Sequence, residues 1–494
     1  MNRTHIRITG VSLVALLLFL LASCATRQRI QTPQPLADRT FTFLSVNDIH
    51  ANLDNFPRLA FMVDSLRAIY PEMALVSAGD NQTGHPMSDQ YTPKGLPVIK
   101  LMNATGFDMS ALGNHEFDAG PKGFAYLNGE AEFDFLCANI LTPSELPFNI
   151  KPYKILHPSN GLKIAVVSLL QINNKGIPDC MPVFTEGFKF ADPFETAKQY
   201  IGMKDSCDAL VFLTHLGIEA DGPLAEQLPS DKVDLIIGGH SHTKIDKEEF
   251  HNGIMVTQAQ NKLKHAGLIM LTVTPEGKVT PHMQLLTVGK EGNQKKEISE
   301  MVDFFKNNNP GMTRRIATLA APIRTKEKLG YLMADAFRHA ADVDITVVNC
   351  GGVRMDSWDK TEVTPYDVYM VDPFGNEIVT INLTGDELYA MYEAAYYADD
   401  YHYIFASGLS SEYYENEGRL SEVRLFTPDG QPVDRKHTYK VAMNSYFISA
   451  TKFAHSDKPV TTNVVTAENM IDYLAKKANI EDYNDVHRLK IVKH

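Results

Sequence analysis

Seven side chains able to bind metal stand just beyond short apolar runs in the first half of the chain. Asp48 and His50 follow the run 41–46, and Asp80 follows 74–77. Asn114 follows 109–112, His215 follows 209–213, and His240 and His242 follow 234–237. If the first run is a strand, alternation puts Asp48 and His50 on the same side. Carboxylate, amide oxygen and imidazole without thiolate suit zinc, manganese, iron(II) or cobalt. They do not suit a thiolate zinc site or an all-oxygen calcium site. Seven ligands are too many for one tetrahedral ion and enough for two ions that share a carboxylate. The chain has 17 histidines, and a lone histidine in a loop is ordinarily structural. Asp-x-His and Gly-Asp are weak signals by themselves. Gly113-Asn114-His115-Glu116 after a strand is far more specific, and the ordered succession of all five is more specific still.

For these residues to meet, the runs that precede them must be strands of open α/β sheets, where ligands gather at the carboxyl ends. From residue 41 to about 289, runs such as 163–169 and 209–213 alternate with helical patterns. They are apolar throughout, as strands covered on both faces must be. The stretch 290–310 is charged and polar, with a few apolar residues at helical spacing, and closes in Asn-Asn-Asn-Pro-Gly. It reads as a linker helix and breaker, with little in it to fix the angle between what lies on either side. A second α/β region follows, with a strand at 344–348 and helices at 329–341 and 384–395.

A chain of 494 residues is too long for one ordinary core, so more than one domain is expected. The formal charge of −13 argues against long nucleic acid as a partner. A small phosphate ester is compatible if metal ions supply local positive charge. At the start, Arg3 and Arg7 precede an apolar run, 11–21, that is too short to span a bilayer comfortably. It ends in Leu21-Ala22-Ser23-Cys24, which resembles a bacterial lipobox. That resemblance implies a signal peptide over 1–23, acylation of Cys24, and a polar tether over 24–39. The protein is then exported and lipid-anchored to the bacterial cell envelope. An ordinary signal peptide with an incidental cysteine is the plainer alternative. Four later cysteines, Cys137, Cys180, Cys207 and Cys350, allow three full pairings, which stay open. Cys137 and Cys350 have the surroundings of buried thiols.

The five strand-end motifs together resemble the calcineurin-like metallophosphoesterase superfamily, and within it the 5′-nucleotidase family, over nearly everything from residue 41 onward. The resemblance implies an α/β fold in two parts. The first is an N-terminal four-layer metallophosphoesterase domain over 40–289, a β-sandwich flanked by helices. A linker helix over 290–311 joins it to a C-terminal α/β substrate-binding domain over 312–494. It also implies two divalent ions, one held by Asp48, His50, Asp80 and His242. The other is held by Asp80, Asn114, His215 and His240, with Asp80 as the bridge. His115 and Asp118 become a catalytic dyad. One helical turn separates them, so the carboxylate can fix the imidazole tautomer and raise its basicity. A carboxylate that merely complements a helix dipole is the plainer reading of Asp118.

In the second region, Asn349-Cys350-Gly351-Gly352-Val353-Arg354 is similar to the family's Asn-Gly-Gly-Gly-Ile-Arg loop. That likeness implies that Asn349 contacts a base and Arg354 a phosphate. Arg324 matches a second family arginine. Phe374 and Tyr446 match the two aromatics that stack on the base. From sequence alone, core packing is the plainer reading of both. Three departures stand out. Cys350 replaces a glycine, and Tyr446 replaces the usual Phe. Ala450-Thr451-Lys452-Phe453 stands where the family has Gly-Gly-Asp-Gly, so an acidic ribose contact is lost. The expected activity is metal-dependent hydrolysis of nucleotide phosphate esters, foremost nucleoside 5′-monophosphates. A 2′,3′-cyclic nucleotide phosphodiesterase and a nucleotide-sugar pyrophosphatase use the same machinery. A non-catalytic lipoprotein that binds nucleotide or metal is the alternative of another class, but a binder has no need of His115 as proton donor.

Overall fold

Alternate residues of the Arg39–Val46 strand serve two different cores. Phe41 and Phe43 face one apolar cluster, and Leu44 and Val46 face another. Burying each such side chain contributes about 1.5–3 kcal/mol. A slip of one residue would exchange the two faces, so the register is strongly specified. The same division runs through the Ile164–Leu170 and Ala209–His215 strands.

The computed structural model describes residues 37–289, 292–397 and 402–493. Cys24, the segment 1–23, most of the 24–39 tether and residues 290 and 291 of the linker lie outside them. Among the described residues no helix is long and apolar enough to cross a membrane.

The first region is a sandwich of two sheets. The seven-stranded sheet has Arg39–Val46, Ala74–Ser77, Met109–Ala111, Asp134–Leu136 and Ile150–Lys151 in parallel succession. The hairpin of His265–Val273 and Val279–Thr287 joins its edge in antiparallel fashion. In the six-stranded sheet, Ile164–Leu170, Ala209–His215, Leu235–Ile237 and Ile254–Thr257 run parallel. Phe43, Val76, Met109, Val211 and Ile237 fill the space between the sheets. Helices Phe56–Arg67, Leu96–Thr105 and Gly120–Glu130 cover one outer face, and Pro193–Tyr200 and Ile218–Gln227 the other. The result is the expected four layers.

The second region is built on a five-stranded mixed sheet, in the order Ile404–Ser407, Ile345–Asn349, Thr438–Asn444, Glu377–Thr384, Val460–Val465. Lys326–Ala341 and Thr466–Lys477 form a core on one face. Gly385–Tyr396, started by a capping box between Thr384 and Glu387, forms a core on the other.

The linker differs from expectation. Its helix is Lys296–Asn307, followed by a short helix at Pro310–Thr313. Ile298, Val302 and Phe305 are buried at helical spacing against Phe56–Arg67 and Leu96–Thr105. Phe305 meets Tyr91 edge-on, with ring centroids 5.5 Å apart. Lys295 pairs with Asp64 at 2.9 Å, and Lys306 pairs with Asp54. The few apolar residues are one stripe of an amphipathic helix, and that stripe docks the helix on the first region. The two regions also touch directly. Tyr366 lies against His85, with its hydroxyl 3.3 Å from His85 Nε2.

Candidate metal centre and substrate face

The first strand stops at Val46, so strand alternation does not place Asp48 and His50. The cause is a series of left-handed turns. Asp48 (φ 51°), His50 (φ 47°), Asp80 (φ 52°), His240 (φ 80°) and His242 (φ 57°) all take positive φ. That conformation costs a residue with a side chain about 1–2 kcal/mol, and such costs concentrate at functional sites. Cross-bonds between loops hold it. Asp48 N–H donates to Gly79 O at 2.9 Å, His50 N–H to Asp80 O at 3.0 Å, and Lys262 N–H to Asp48 O at 2.8 Å. Glycine is required where loops close on each other. A Cβ on Gly113 would lie 2.1 Å from Asp80 Oδ1, and one on Gly239 would lie 2.5 Å from Ala78 O.

The loops bring the seven residues together. His50 Nε2 is 2.9 Å from His242 Nε2 and 3.8 Å from Asp48 Oδ1, and His242 Nε2 is 3.3 Å from that oxygen. Asp80 Oδ2 is 3.2 Å from His215 Nε2 and 4.0 Å from His50 Nε2. His240 Nδ1 is 3.1 Å from Asn114 Oδ1. Ligand atoms of Asp48, His50 and His242 lie within 4.8 Å of one another, and so do those of Asp80, His215 and His240.

In several of these candidate ligands the other polar atom is already engaged. His50 Nδ1 donates to Thr83 O at 2.9 Å and His215 Nδ1 to Ala78 O at 2.7 Å, so both Nε2 lone pairs point inward. Asp48 Oδ2 accepts from His240 N–H at 2.9 Å, and Asp80 Oδ1 from His115 N–H at 2.9 Å. Asp48 Oδ1 and His215 Nε2 are buried atoms without a hydrogen-bond partner. Orphaned atoms of this kind, in an oxygen and imidazole donor set, fit divalent transition ions. His242 Nδ1 lies 3.0 Å from the amide nitrogen of Asn261, whose Oδ1 is buried without a partner. With the amide ends exchanged, the oxygen accepts from Nδ1 and Nε2 again faces inward.

The charges reinforce one another. Burial disfavours an ionised Asp80, but His215, His115 and His50 outweigh it and hold the carboxyl well below its usual range. Burial likewise opposes a charged His215, yet Asp80 pushes its pKa up to about 10. For His50 burial wins, and the pKa falls to about 4.

His115 begins a 3₁₀ turn, His115–Phe117, which leaves Asp118 Oδ2 2.7 Å from His115 Nδ1. Thr83 Oγ1 donates to the same carboxylate oxygen at 2.7 Å. Burial works against the charged ring, but Asp80 and then the bond to Asp118 push its pKa up to about 9.

Glu116 has a part that the sequence reading did not give it. Its carboxylate is 1% exposed and accepts from Gly113 N–H at 2.6 Å, Asn81 N–H at 2.7 Å and Asp80 N–H at 3.0 Å. Asn81 Nδ2 adds a fourth bond at 3.1 Å. It therefore ties the Asp80 loop to the Asn114 loop from behind. The signal in the sequence is the glutamate that closes the Gly113-Asn114-His115-Glu116 motif.

The second region holds the other candidates. Phe374 is 48% exposed and Tyr446 is 55% exposed, so neither is a core residue. The Arg354 guanidinium sits over the Phe374 ring, 5.5 Å from its centroid. Asn349 is buried, with Oδ1 accepting from Asn444 Nδ2 at 3.0 Å. Arg324 stands apart. Its backbone N–H is held by Asn484, and its exposed guanidinium has no ion-pair partner among the described residues. Cys137 and Cys207 are buried thiols and Cys180 a partly buried one, none of them bridged.

Both regions match known families. Residues 41–244 match the family model for calcineurin-like phosphoesterases, and residues 311–454 match that for the 5′-nucleotidase C-terminal domain. The chain is 28% identical to the trifunctional nucleotide phosphoesterase protein YfkN of Bacillus subtilis. That match covers 84% of this chain but only 32% of the longer relative. It is also 28% identical to a 5′-nucleotidase of Vibrio cholerae, over 93% of this chain and 94% of that one. A solved 5′-nucleotidase precursor from Thermus thermophilus superposes with a TM-score of 0.74 at 25% identity. That superposition covers 92% of this chain and 99% of the other.

Proposed function

Because the chain belongs to the two-domain 5′-nucleotidase family of calcineurin-like phosphoesterases, we propose that this hydrolase releases phosphate from nucleoside 5′-monophosphates. The observation behind this proposal is that Asp80 Oδ2 lies 3.2 Å from His215 Nε2 and 4.0 Å from His50 Nε2, one histidine from each group, beside the His115–Asp118 pair. Bound there, two divalent ions supply Lewis acidity that polarises a phosphoryl group and makes water a nucleophile near neutral pH.

The chain's own residues account for the remainder. Asp48, His50, Asp80 and His242 would hold one ion, and Asp80, Asn114, His215 and His240 the other. Asp80 would be the residue common to both sets. His115, charged below a pKa of about 9, donates a hydrogen bond or proton to the phosphoryl or leaving oxygen. Asp118 holds the orientation of that ring through its bond to Nδ1. Arg354 supplies positive charge beside Phe374, suited to a phosphate near a stacked base. The exposure of Phe374 and Tyr446 supports a stacking role for both.

A phosphate-release screen over mono-, di-, 2′,3′-cyclic and sugar nucleotides, with zinc, manganese, iron(II) and cobalt, tests this. Nucleoside 5′-monophosphates should lead, and chelator should abolish turnover. A preference for cyclic or sugar nucleotides would overturn the monophosphate assignment, and full activity in chelator would rule out metal-dependent hydrolysis. His115→Ala should lower turnover by about 10²–10⁴ with ion content unchanged, and Asp118→Asn should cost less. We also propose export and tethering through Cys24. Cys24→Ser should lose acylation and release the protein from membranes. Unchanged acylation would refute the anchor.

A further inference from the structure

Two exposed aromatics on different segments can grip a flat ring only if something fixes the gap between them. Phe374 lies three residues before the Glu377–Thr384 strand, and Tyr446 lies two residues after the Thr438–Asn444 strand. These strands are antiparallel neighbours, with Ile378 opposite Asn444. The start of one therefore coincides with the end of the other, and both aromatics emerge at the same corner of the sheet. The ladder ends there, and one residue continues the connection. Asn376 Oδ1 accepts from Tyr446 N–H at 3.2 Å and from Ser445 Oγ at 3.1 Å. Asn376 O accepts from Thr466 N–H at 2.8 Å and from Thr466 Oγ1 at 3.1 Å, which pins the same residue to the Thr466–Lys477 helix. Gly375, at φ 65° with open space about it, makes the turn that points Phe374 away from this anchor.

We propose that Asn376 is a positioning residue for substrate. Its carboxamide oxygen ties the Tyr446 segment to the Phe374 segment and so sets the aperture that receives a planar aromatic group such as a nucleobase. This rests on the reading, given above, that Phe374 and Tyr446 stack on the base. The chemistry asked of Asn376 is narrow. Among the described residues its amide nitrogen donates no hydrogen bond, so only the acceptor matters. Asparagine and aspartate should then be equivalent, and alanine should not.

The test compares Asn376→Ala, Asn376→Asp and Phe374→Ala in the full-length, ion-loaded protein. Adenosine, which lacks a phosphate, reports on the aperture alone through its dissociation constant, measured by calorimetry. AMP and p-nitrophenyl phosphate report through KM and kcat. Loss of two hydrogen bonds should weaken adenosine binding by about tenfold in Asn376→Ala. The KM for AMP should rise similarly, with kcat on p-nitrophenyl phosphate and the melting temperature unchanged. Asn376→Asp should stay within about twofold of wild type. The brace is overturned if Asn376→Ala binds adenosine normally while Phe374→Ala does not. It is also overturned if both Asn376 variants lose binding and melting temperature together, since that marks a purely structural role. If Phe374→Ala itself binds adenosine normally, the stacking reading fails and takes the brace with it.

Discussion

Replacing Glu116 by glutamine should empty the centre of metal without touching a ligand. The carboxylate has two oxygens, each with two donors. One takes Asn81 N–H and Asn81 Nδ2, and the other takes Gly113 N–H and Asp80 N–H. Glutamine keeps only one oxygen. Its amide nitrogen then faces two donors, whichever way it is turned. A buried donor left without an acceptor costs about 1–3 kcal/mol, so the two loops lose about 2–6 kcal/mol of what holds them together. These loops carry Asp80 and Asn114. If they relax, ion affinity drops by about 30-fold at the lower bound. The assay is ion content after dialysis against a metal buffer, with melting curves in metal and in chelator and turnover on p-nitrophenyl phosphate. Glu116→Gln should hold less than its full complement, gain less melting temperature from metal and turn over at least about tenfold more slowly. Adenosine binding, which depends on the second region, should be unchanged. A variant with full ion content and wild-type melting and turnover would refute the argument that this carboxylate holds the two loops in place.

Ion binding should also depend on pH. His215 has its pKa pushed up to about 10 and must lose its proton to offer Nε2 to an ion, so affinity should rise from pH 6 to 9 with protons released on binding. Calorimetry in two buffers of different ionisation enthalpy counts those protons, and a flat profile contradicts the prediction. Burial of Asp372 pushes its carboxyl up to about 6 in the folded protein. A carboxyl raised above its unfolded value of about 3.9 favours the protonated folded state, so stability is lost as pH rises from about 4 to about 6 and stays lost above. Asp372→Asn should therefore gain about 1–3 kcal/mol at pH 8 and nothing at pH 4 in urea unfolding. An equal effect at both pH values would point to packing instead. Phe305→Ala should cost about 3–5 kcal/mol in stability, whereas an undocked linker would lose almost nothing.

The pattern of apolar runs showed where the strands are because both sheets are covered on both faces, which demands unbroken apolar stretches such as those before Asp80 and His240. The candidate ligands were legible because each stands just beyond such a run. How Asp48 and His50 come to face one point was not legible. Strand alternation predicts the right side for a wrong reason, since the turns are left-handed and held by bonds to loops far along the chain. Glu116 went unread because its partners are backbone N–H groups, which have no identity in a sequence. The linker misled for a related reason. Its three buried residues are too few to stand out among charges, but at helical spacing they suffice to dock a helix.

That docking changes the kind of movement open to the second region. A flexible chain spanning all of 290–311 would let its ends wander about 26 Å apart on average. With Lys296–Asn307 fixed, six residues, 308–313, remain before Arg314, and four of them form a helical turn. Even a fully flexible segment of that length spans only about 13 Å. The second region is thus on a short leash, able to pivot but not to drift. If Phe374 and Tyr446 hold a nucleotide base as proposed, that nucleotide would meet the candidate metal centre at an effective concentration set by geometry, not by diffusion through the surrounding solution. Lengthening 308–313 with glycine and serine should dilute that encounter for nucleotides, and leave p-nitrophenyl phosphate, which needs no carrier, untouched.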